Sequence, residues 1–330
     1  MGVAIKGGRF LITGGLSLIG SHIAEHLLAE GAAEVVLLDN ASLTDPGSLA
    51  DLLAHERVTF RRGDVLSLTD VMEACEGIDG VFALAAMLTL PLSQRPALGI
   101  QVNVLGTLNV FEAVRWQGVK KVIFSSSVSA IGNAEDADVT EETPYVAAGL
   151  QPPAAIYGLS KLLGEQMGRL YAQRHGMEFI ALRYSTVYGE RQHYRGVNAL
   201  YIIEAYDRIM AGRPPQIAGD GSEVHDYIYV GDIARANLTA MASDVSGESI
   251  LICTGVATNL NRIVEVLLAE TGSDLKPEYT QDAGGKVKFT ASSIINYNRG
   301  KAERLLGWTP QVGIEEGIRR LIAWRRGQSA

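Results

Sequence analysis

The apolar run RFLIT at residues 9–13 breaks into Gly14-Gly15-Leu16-Ser17-Leu18-Ile19-Gly20 and passes directly into the helical pattern SHIAEHLLAE. No other stretch limits the fold as tightly. A strand that turns within a few residues into a helix returns to the sheet as a crossover, and crossovers build parallel sheets. The same turn aims backbone N–H groups and a helix N-terminus at one point, the geometry that holds a pyrophosphate. Gly14 and Gly20 have the spacing such loops use, while Ser17 stands where the backbone must come closest to the phosphates.

The runs that follow keep this rhythm: EVVLLD, VTFRRGDV, GVFALAA and KKVIFSSS are separated by helical patterns, then a helix over 154–176 leads to the strand MEFIALRY. Near-continuous apolar strands read as buried on both faces. The predicted fold class is therefore α/β, a Rossmann-type doubly wound parallel sheet. Glycine, proline and aromatic residues then crowd 184–221, and the strand–helix alternation is not expected to continue there. A smaller mixed α/β C-terminal substrate lobe is predicted instead. Residues 1–183 with about 227–256 would form the NAD-binding Rossmann domain, and 184–226 with 257–330 the substrate-binding lobe. Helices are expected over 230–242, 259–271, 299–306 and 314–325.

With 330 residues and 47% hydrophobic content the chain can bury a large core. Its 29 Lys and Arg against 37 Asp and Glu leave a net charge of −8, so nucleic acid finds no electrostatic footprint. Cys75 and Cys253 lie far apart without metal-ligand spacing, which suits core residues in a reducing compartment. No targeting segment is visible ahead of Phe10-Leu11-Ile12. The longest apolar stretch, taken as 81–92, carries Thr89 and Pro91 and is too short for a bilayer. The expectation is a cytoplasmic enzyme with a small-molecule substrate, no metal, and no nucleic-acid or membrane partner.

Asp39 ends the second strand about 20 residues beyond the glycine turn, where a carboxylate bonds adenosine ribose hydroxyls. It would repel a 2′-phosphate, so NAD is preferred over NADP. Asp64, in Gly63-Asp64-Val65 after the third strand, is placed to approach the adenine edge. Either aspartate alone is equally an ordinary strand-end turn residue. Their order behind the glycine turn is what points to a cofactor.

Tyr157 and Lys161 in YGLSK are four residues apart and share one helix face. A phenol with a pKa of about 10 is a poor base at neutral pH, but a nearby ammonium and the nicotinamide charge favour phenolate. Lys161 can also bond the nicotinamide ribose. Ser127 ends the strand KKVIFSSS at the carboxyl edge, where open α/β sheets bind ligands, and can share the proton at the reacting oxygen. Ser126 is its nearest substitute. A lone Tyr-x-x-x-Lys is a common surface pattern; behind a serine-rich strand end and a dinucleotide turn it predicts hydride transfer to or from a sugar-like hydroxyl.

With these residues in place the chain resembles an extended short-chain dehydrogenase/reductase of the NAD-dependent epimerase/dehydratase family, which includes UDP-galactose 4-epimerase. The stretches that carry the resemblance are TGGLSLIGSH, LLDN, GDV, FALAA, NVLGTLNVFEA, KKVIFSSSVSAIG, YGLSK, LRYSTVYG, GDGSEVHDYIYVGDIA and LLGWTP. It implies Ser127, Tyr157 and Lys161 as catalytic residues. For the cofactor it implies Gly14, Ser17, Leu18, Ile19 and Gly20, then Asp39 with Asn40, Asp64 with Val65, and Leu84, Ala85 and Ala86. Asn103, Ser125, Tyr157, Lys161 and Tyr184 complete that set. Substrate contacts are implied at Met87, Ser127, Ser129, Thr186, His193, Asn198 and His225. The resemblance also implies a homodimer through the helices around 92–117 and 154–174.

Relatives that dehydrate nucleotide sugars are similar to one another in a Thr-Asp-Glu at the strand end, which supplies an acid and a base. Ser127, Val128 and Ser129 match it here and supply neither. Neither cysteine falls in a matching stretch, against cysteine-dependent 3,5-epimerisation. What remains is reversible oxidation of a carbinol, and the first reading is epimerisation, at carbon 4 of a nucleotide sugar. The alternative is NAD-dependent oxidation or reduction of a free sugar, sugar acid or small hydroxy compound. A non-catalytic NAD-binding protein is a third reading, motivated by Ser17. At the substrate end Ser185 and Thr186 replace a usual Asn, His225 a usual Arg and Glu190 a usual Pro, and imidazole does not reproduce a guanidinium fork. Arg191, His193, Arg195 and Arg299 could form a substitute anion site or could be solvated loop charges. His193 and Tyr194 are candidate contacts for a smaller sugar.

Overall fold

The computed structural model describes residues 2–134, 138–192, 199–280 and 296–328. From the N-terminus come β1 (Arg9–Thr13), α1 (Leu18–Ala29), β2 (Glu34–Asp39), α2 (Ala50–Leu53), β3 (Val58–Arg62), α3 (Leu68–Ala74) and β4 (Gly80–Ala83). A long helical run follows, α4 (Thr89–Gln94), α5 (Pro96–Ile100) and α6 (Thr107–Gln117), then β5 (Lys121–Ser127), α7 (Pro152–His175) and β6 (Glu178–Tyr184). The rest comprises β7 (Thr186–Tyr188), α8 (Leu200–Met210), β8 (Gln216–Ala218), β9 (Val224–Tyr229), α9 (Val230–Ala242) and β10 (Glu248–Ile252). The chain continues through β11 (Ala257–Asn259), α10 (Leu260–Thr271), β12 (Glu278–Thr280), α11 (Gly300–Leu306) and α12 (Ile314–Gln328).

Seven parallel strands form the main sheet in the order β10-β6-β5-β4-β1-β2-β3. Alternate residues of each strand enter two separate cores. Phe10, Ile12, Val35, Leu37, Phe82 and Ile123 pack on the side of α1 and α9. Leu11, Val36, Val81, Val122 and Phe124 pack on the side of α3, α6 and α7. The apolar strands seen in the sequence are therefore covered on both faces, as a doubly wound sheet requires. Smaller sheets, β11-β9-β7 and β12-β8, belong to the C-terminal part.

Two expectations need correction. The alternation does not stop after Arg183: α8 lies between β7 and β8 within 184–221, while β10, inside the 227–256 stretch expected to join the Rossmann part, pairs in parallel with β6 as the seventh strand of the main sheet. The crowded glycines and prolines mark turns between short elements rather than a change of architecture. Second, it is Pro96–Gln117, and not 81–92, that is long and apolar enough to cross a bilayer by length and composition. That run buries Asn103, Thr107, Val110, Phe111 and Val114 within the fold, so much of its hydrophobicity is spent on packing.

The helix α7 lies close to the sheet because it offers glycine where it crosses aromatic side chains. A Cβ at Gly168 would come within 2.2 Å of the Phe179 ring, which is fully buried and has no room to turn. Gly168→Ala is expected to lower stability by about 1–3 kcal/mol, as overpacked cores do. A urea midpoint equal to or above that of the parent protein would contradict this.

Candidate active site

The carboxyl edge of the main sheet gathers the predicted cofactor residues. Strand order reverses between β1 and β4, and a crevice opens at such a switch point. Gly14 sits there with φ 69°, a left-handed conformation that favours glycine. A Cβ on it would stand 3.1 Å from the backbone of Ala85 across the crevice. The Thr13 hydroxyl accepts the N–H groups of Leu84 and Ala85 at 3.2 and 3.3 Å, tying the two lips together, with Ala86 following.

Ser17 does not spoil this turn. Its φ of −69° and ψ of 166° are extended backbone open to any residue, and its Oγ accepts the Gly20 N–H at 3.1 Å. It caps α1. Helix geometry then leaves the first-turn N–H groups of Leu18 and Ile19 available to an anion. Asp39 accepts the Leu16 N–H at 3.1 Å and the Ala41 N–H at 2.9 Å; burial pushes its carboxyl up, against the pull of those two bonds. Asn40 donates to Asp64 at 3.0 Å, and the Val65 carbonyl accepts from Asn109 at 2.8 Å. A cradle that a side chain would fill, two free helix N–H groups and a carboxylate at the next strand end together fit a dinucleotide.

At the other end of the crevice, β5 and α7 bring the proposed reacting groups together. Tyr157 and Lys161 are 7% and 4% exposed. Burial pushes the Tyr157 phenol up to about 12, partly offset by the Ser127 hydroxyl. Burial pulls the Lys161 ammonium down to about 8, partly offset by Glu165. Lys161 Nζ donates to the Ser125 carbonyl at 2.7 Å, which leaves two of its three donors free. Ser127 Oγ accepts the Ser129 N–H at 3.1 Å and keeps its own hydroxyl proton to donate. Ser126 is not equivalent to Ser127: its hydroxyl donates to the buried Glu165 at 2.6 Å.

Two residues carried over as cofactor contacts have other partners. Asn103 lies in a π-helical segment, Gln101–Gly106, where a wider turn re-aims a side chain. Its amide donates to the Met87 carbonyl at 2.9 Å and to Ser160 Oγ at 3.3 Å, and its oxygen accepts the Met87 N–H at 2.7 Å. It thereby fixes the loop after β4. The Tyr184 hydroxyl donates to Asn237 of α9 at 2.9 Å. Thr13, Asn237 and Glu165 went unseen in the sequence. Glu165 alone left a signal, four residues beyond Lys161 on the same helix face.

At the substrate end, Thr186 is half-buried on β7 and His225 half-buried on β9, the latter 2.8 Å from Glu223. The Ser185 hydroxyl donates to Asp226 at 2.7 Å. Arg191 pairs with Glu25; Arg299 pairs with Glu303 at 2.7 Å and donates to the Thr254 carbonyl. The two arginines are thus each engaged with a carboxylate of their own. His193, Tyr194, Arg195 and Asn198 lie outside the described residues.

The chain is similar to known proteins along nearly its whole length. A family model described as NAD dependent epimerase/dehydratase family matches residues 10–253. The UDP-glucose 4-epimerase of Mycolicibacterium smegmatis is 30% identical over 97% of this chain and 99% of its own. The UDP-glucose 4-epimerase of Thermotoga maritima, solved with UDP-glucose, has a TM-score of 0.85 at 30% identity and covers 98% of this chain and 100% of its own. The UDP-glucuronic acid 4-epimerase of Bacillus cereus, solved with UDP-glucuronic acid and NAD, has a TM-score of 0.84 at 25% identity, covering 97% and 99%.

If Ser17 serves as a helix cap, Ser17→Ala should cost about 1 kcal/mol and Ser17→Gly only a few tenths. Thermal unfolding of the two variants side by side checks the order. Equal losses would exclude the capping role.

Proposed function

Because the chain belongs to the NAD-dependent epimerase/dehydratase family, and is thus an NAD-dependent enzyme, we propose that it inverts carbon 4 of a nucleotide sugar through a transient keto sugar. The observation that carries this reading is the end of β5, where Ser127 lies beside Tyr157 and Lys161 while positions 128 and 129 hold Val and Ser. A hydroxyl, a phenol and an ammonium can move a proton on and off a carbinol. Elimination of water would need a carboxyl acid and base there.

The β1–α1 turn and Asp39 would hold NAD, which when bound would supply the hydride acceptor and donor. Tyr157 takes the proton from the C4 hydroxyl and returns it. A phenol raised to about 12 by burial needs nearby positive charge for this, and Lys161 provides one, its ammonium largely retained at neutral pH with a pKa of about 8. Ser127 donates to the reacting oxygen and so relays the proton. Epimerisation then requires only that the keto sugar present its other face before the hydride returns.

A second reading, net oxidation or reduction of a free sugar, sugar acid or small hydroxy compound, draws on Thr186 and on the His225–Glu223 pair, which stand where the resemblance implies an Asn and an Arg. The outcomes separate cleanly. The purified protein should retain NAD and interconvert UDP-glucose and UDP-galactose, or another UDP-sugar pair, without net NADH, and Tyr157→Phe should lose about 10²–10⁴-fold in kcat. Stoichiometric NADH accumulation would favour the second reading, and undiminished turnover by Tyr157→Phe would remove the assigned role.

The same helices offer an apolar outer face. Leu159, Leu163 and Leu170 on α7 are 45–47% exposed, as are Leu105 at 50% and Trp116 at 65% on the neighbouring run. A second copy of the chain is the occupant that best suits such a face, since two-fold pairing covers both helices at once. Sedimentation should give a dimer for the parent protein and a monomer for Leu159→Lys/Leu163→Lys. A monomeric parent would overturn this.

A further inference from the structure

We propose that Glu165 is a positioning residue for hydride transfer, holding Lys161 charged and the reacting end of β5 in place from one turn further along the same face of α7. The inference rests on the reading of Ser127, Tyr157 and Lys161 as the reacting groups. Glu165 lies one turn beyond Lys161 and is fully buried. Its Oε1 accepts from Ser126 Oγ at 2.6 Å and Arg183 Nε at 2.8 Å; its Oε2 accepts from Arg183 Nη2 at 2.8 Å and Ser249 Oγ at 2.7 Å. The donors belong to β5, β6 and β10, so one carboxylate joins α7 to three adjacent strands. Ser126 stands between Ser125, whose carbonyl receives Lys161, and Ser127. Both neighbours of that clamp are part of the reacting edge.

The charge matters as much as the bonds. Around this carboxylate, α7 contributes Lys161, Tyr157 and Arg169, the last 3.9 Å away. β6 contributes Arg183 and the Tyr184 phenol, while β5 and β10 contribute hydroxyls. Burial alone would push the Glu165 carboxyl up, but Arg183 and the Ser126 and Ser249 hydroxyls hold it below the usual carboxylate range. Its negative charge is the one that favours the ammonium form of Lys161 against burial. Without it, Arg183 and Lys161 would share a buried region with no anion between them, and Lys161 would give up its proton more readily.

The test is the pH dependence of Glu165→Gln, purified with its bound NAD. The alkaline limb of kcat should move to lower pH by about one unit and kcat at pH 8 should fall about fivefold, with KM changed less than about twofold. Glu165→Gln/Arg183→Met also removes the buried guanidinium that Glu165 neutralises; it is expected to fold and to keep the shifted limb, and it stands in if the single variant does not fold. A limb that coincides with that of the parent, with only the melting temperature lowered, would overturn the proposal in favour of packing alone. NMR titration of the Lys161 ε-methylene, identified by its loss in Lys161→Met, should show the same downward shift with no sugar present. If no nucleotide sugar turns over, the functional reading fails, and this titration still decides the role of Glu165.

Discussion

Parallel strands cannot be joined by hairpins, and this one constraint places everything else in the molecule. Each strand of the main sheet must be left by a crossover, so all seven carboxyl ends lie along one edge. Gly14, Asp39, Leu84, Ser127 and Tyr184 are drawn from widely separated stretches and meet there only for that reason. The crossovers change side between β1 and β4, the place where open α/β sheets take their ligands. The left-handed turn at Gly14 and its close approach to Ala85 fit that place for a flat, charged ligand.

The reacting groups depend on a second consequence, the seating of α7 on the sheet. Bringing a phenol and an ammonium into the interior costs solvation, and burial drives both toward neutrality, up for Tyr157 and down for Lys161. Left alone, the pair would be inert at neutral pH. The structure counters this with positive and negative groups held at fixed places: Glu165 behind Lys161, Arg183 on Glu165, and the Ser127 hydroxyl beside the phenol. Each is rigid because its remaining bonds are to backbone or to neighbouring strands, so little reorganisation is left for the moment of reaction.

Much of this was legible in the sequence because it is local. RFLIT, EVVLLD and KVIFSSS announce strands by their own apolar content, and the Tyr157/Lys161 spacing announces a shared helix face. The long-range pairings were not legible. Nothing near Arg183 indicates that it binds Glu165, 18 residues earlier, and nothing near Asn103 indicates a π-helical turn that aims its amide at Met87. β10 falls in the 227–256 stretch expected to join the Rossmann part, but its pairing with β6 is a long-range contact that only the structure gives. Ser17 was misjudged as a defect because its worth lies in a cap bond that only the turn geometry reveals.

The substrate end illustrates how strand register turns single substitutions into a surface. Asp226 is consumed by structure, accepting from Ser185, Thr254 and Gly255, which pins β9 to the end of β10. With Asp226 fixed inward, His225 must point to the other face, together with Glu223 and Tyr227 by the two-residue period of a strand. Thr186 pairs with Tyr227 and Thr258 with His225, so the same face gathers two threonines, a phenol and an imidazole–carboxylate pair. Tyr227 and Thr258 are buried, so the half-buried Thr186, His225 and Glu223 form the accessible margin of that face. At position 225 an imidazole held 2.8 Å from Glu223 offers one directional hydrogen bond, where a guanidinium would offer a bidentate fork.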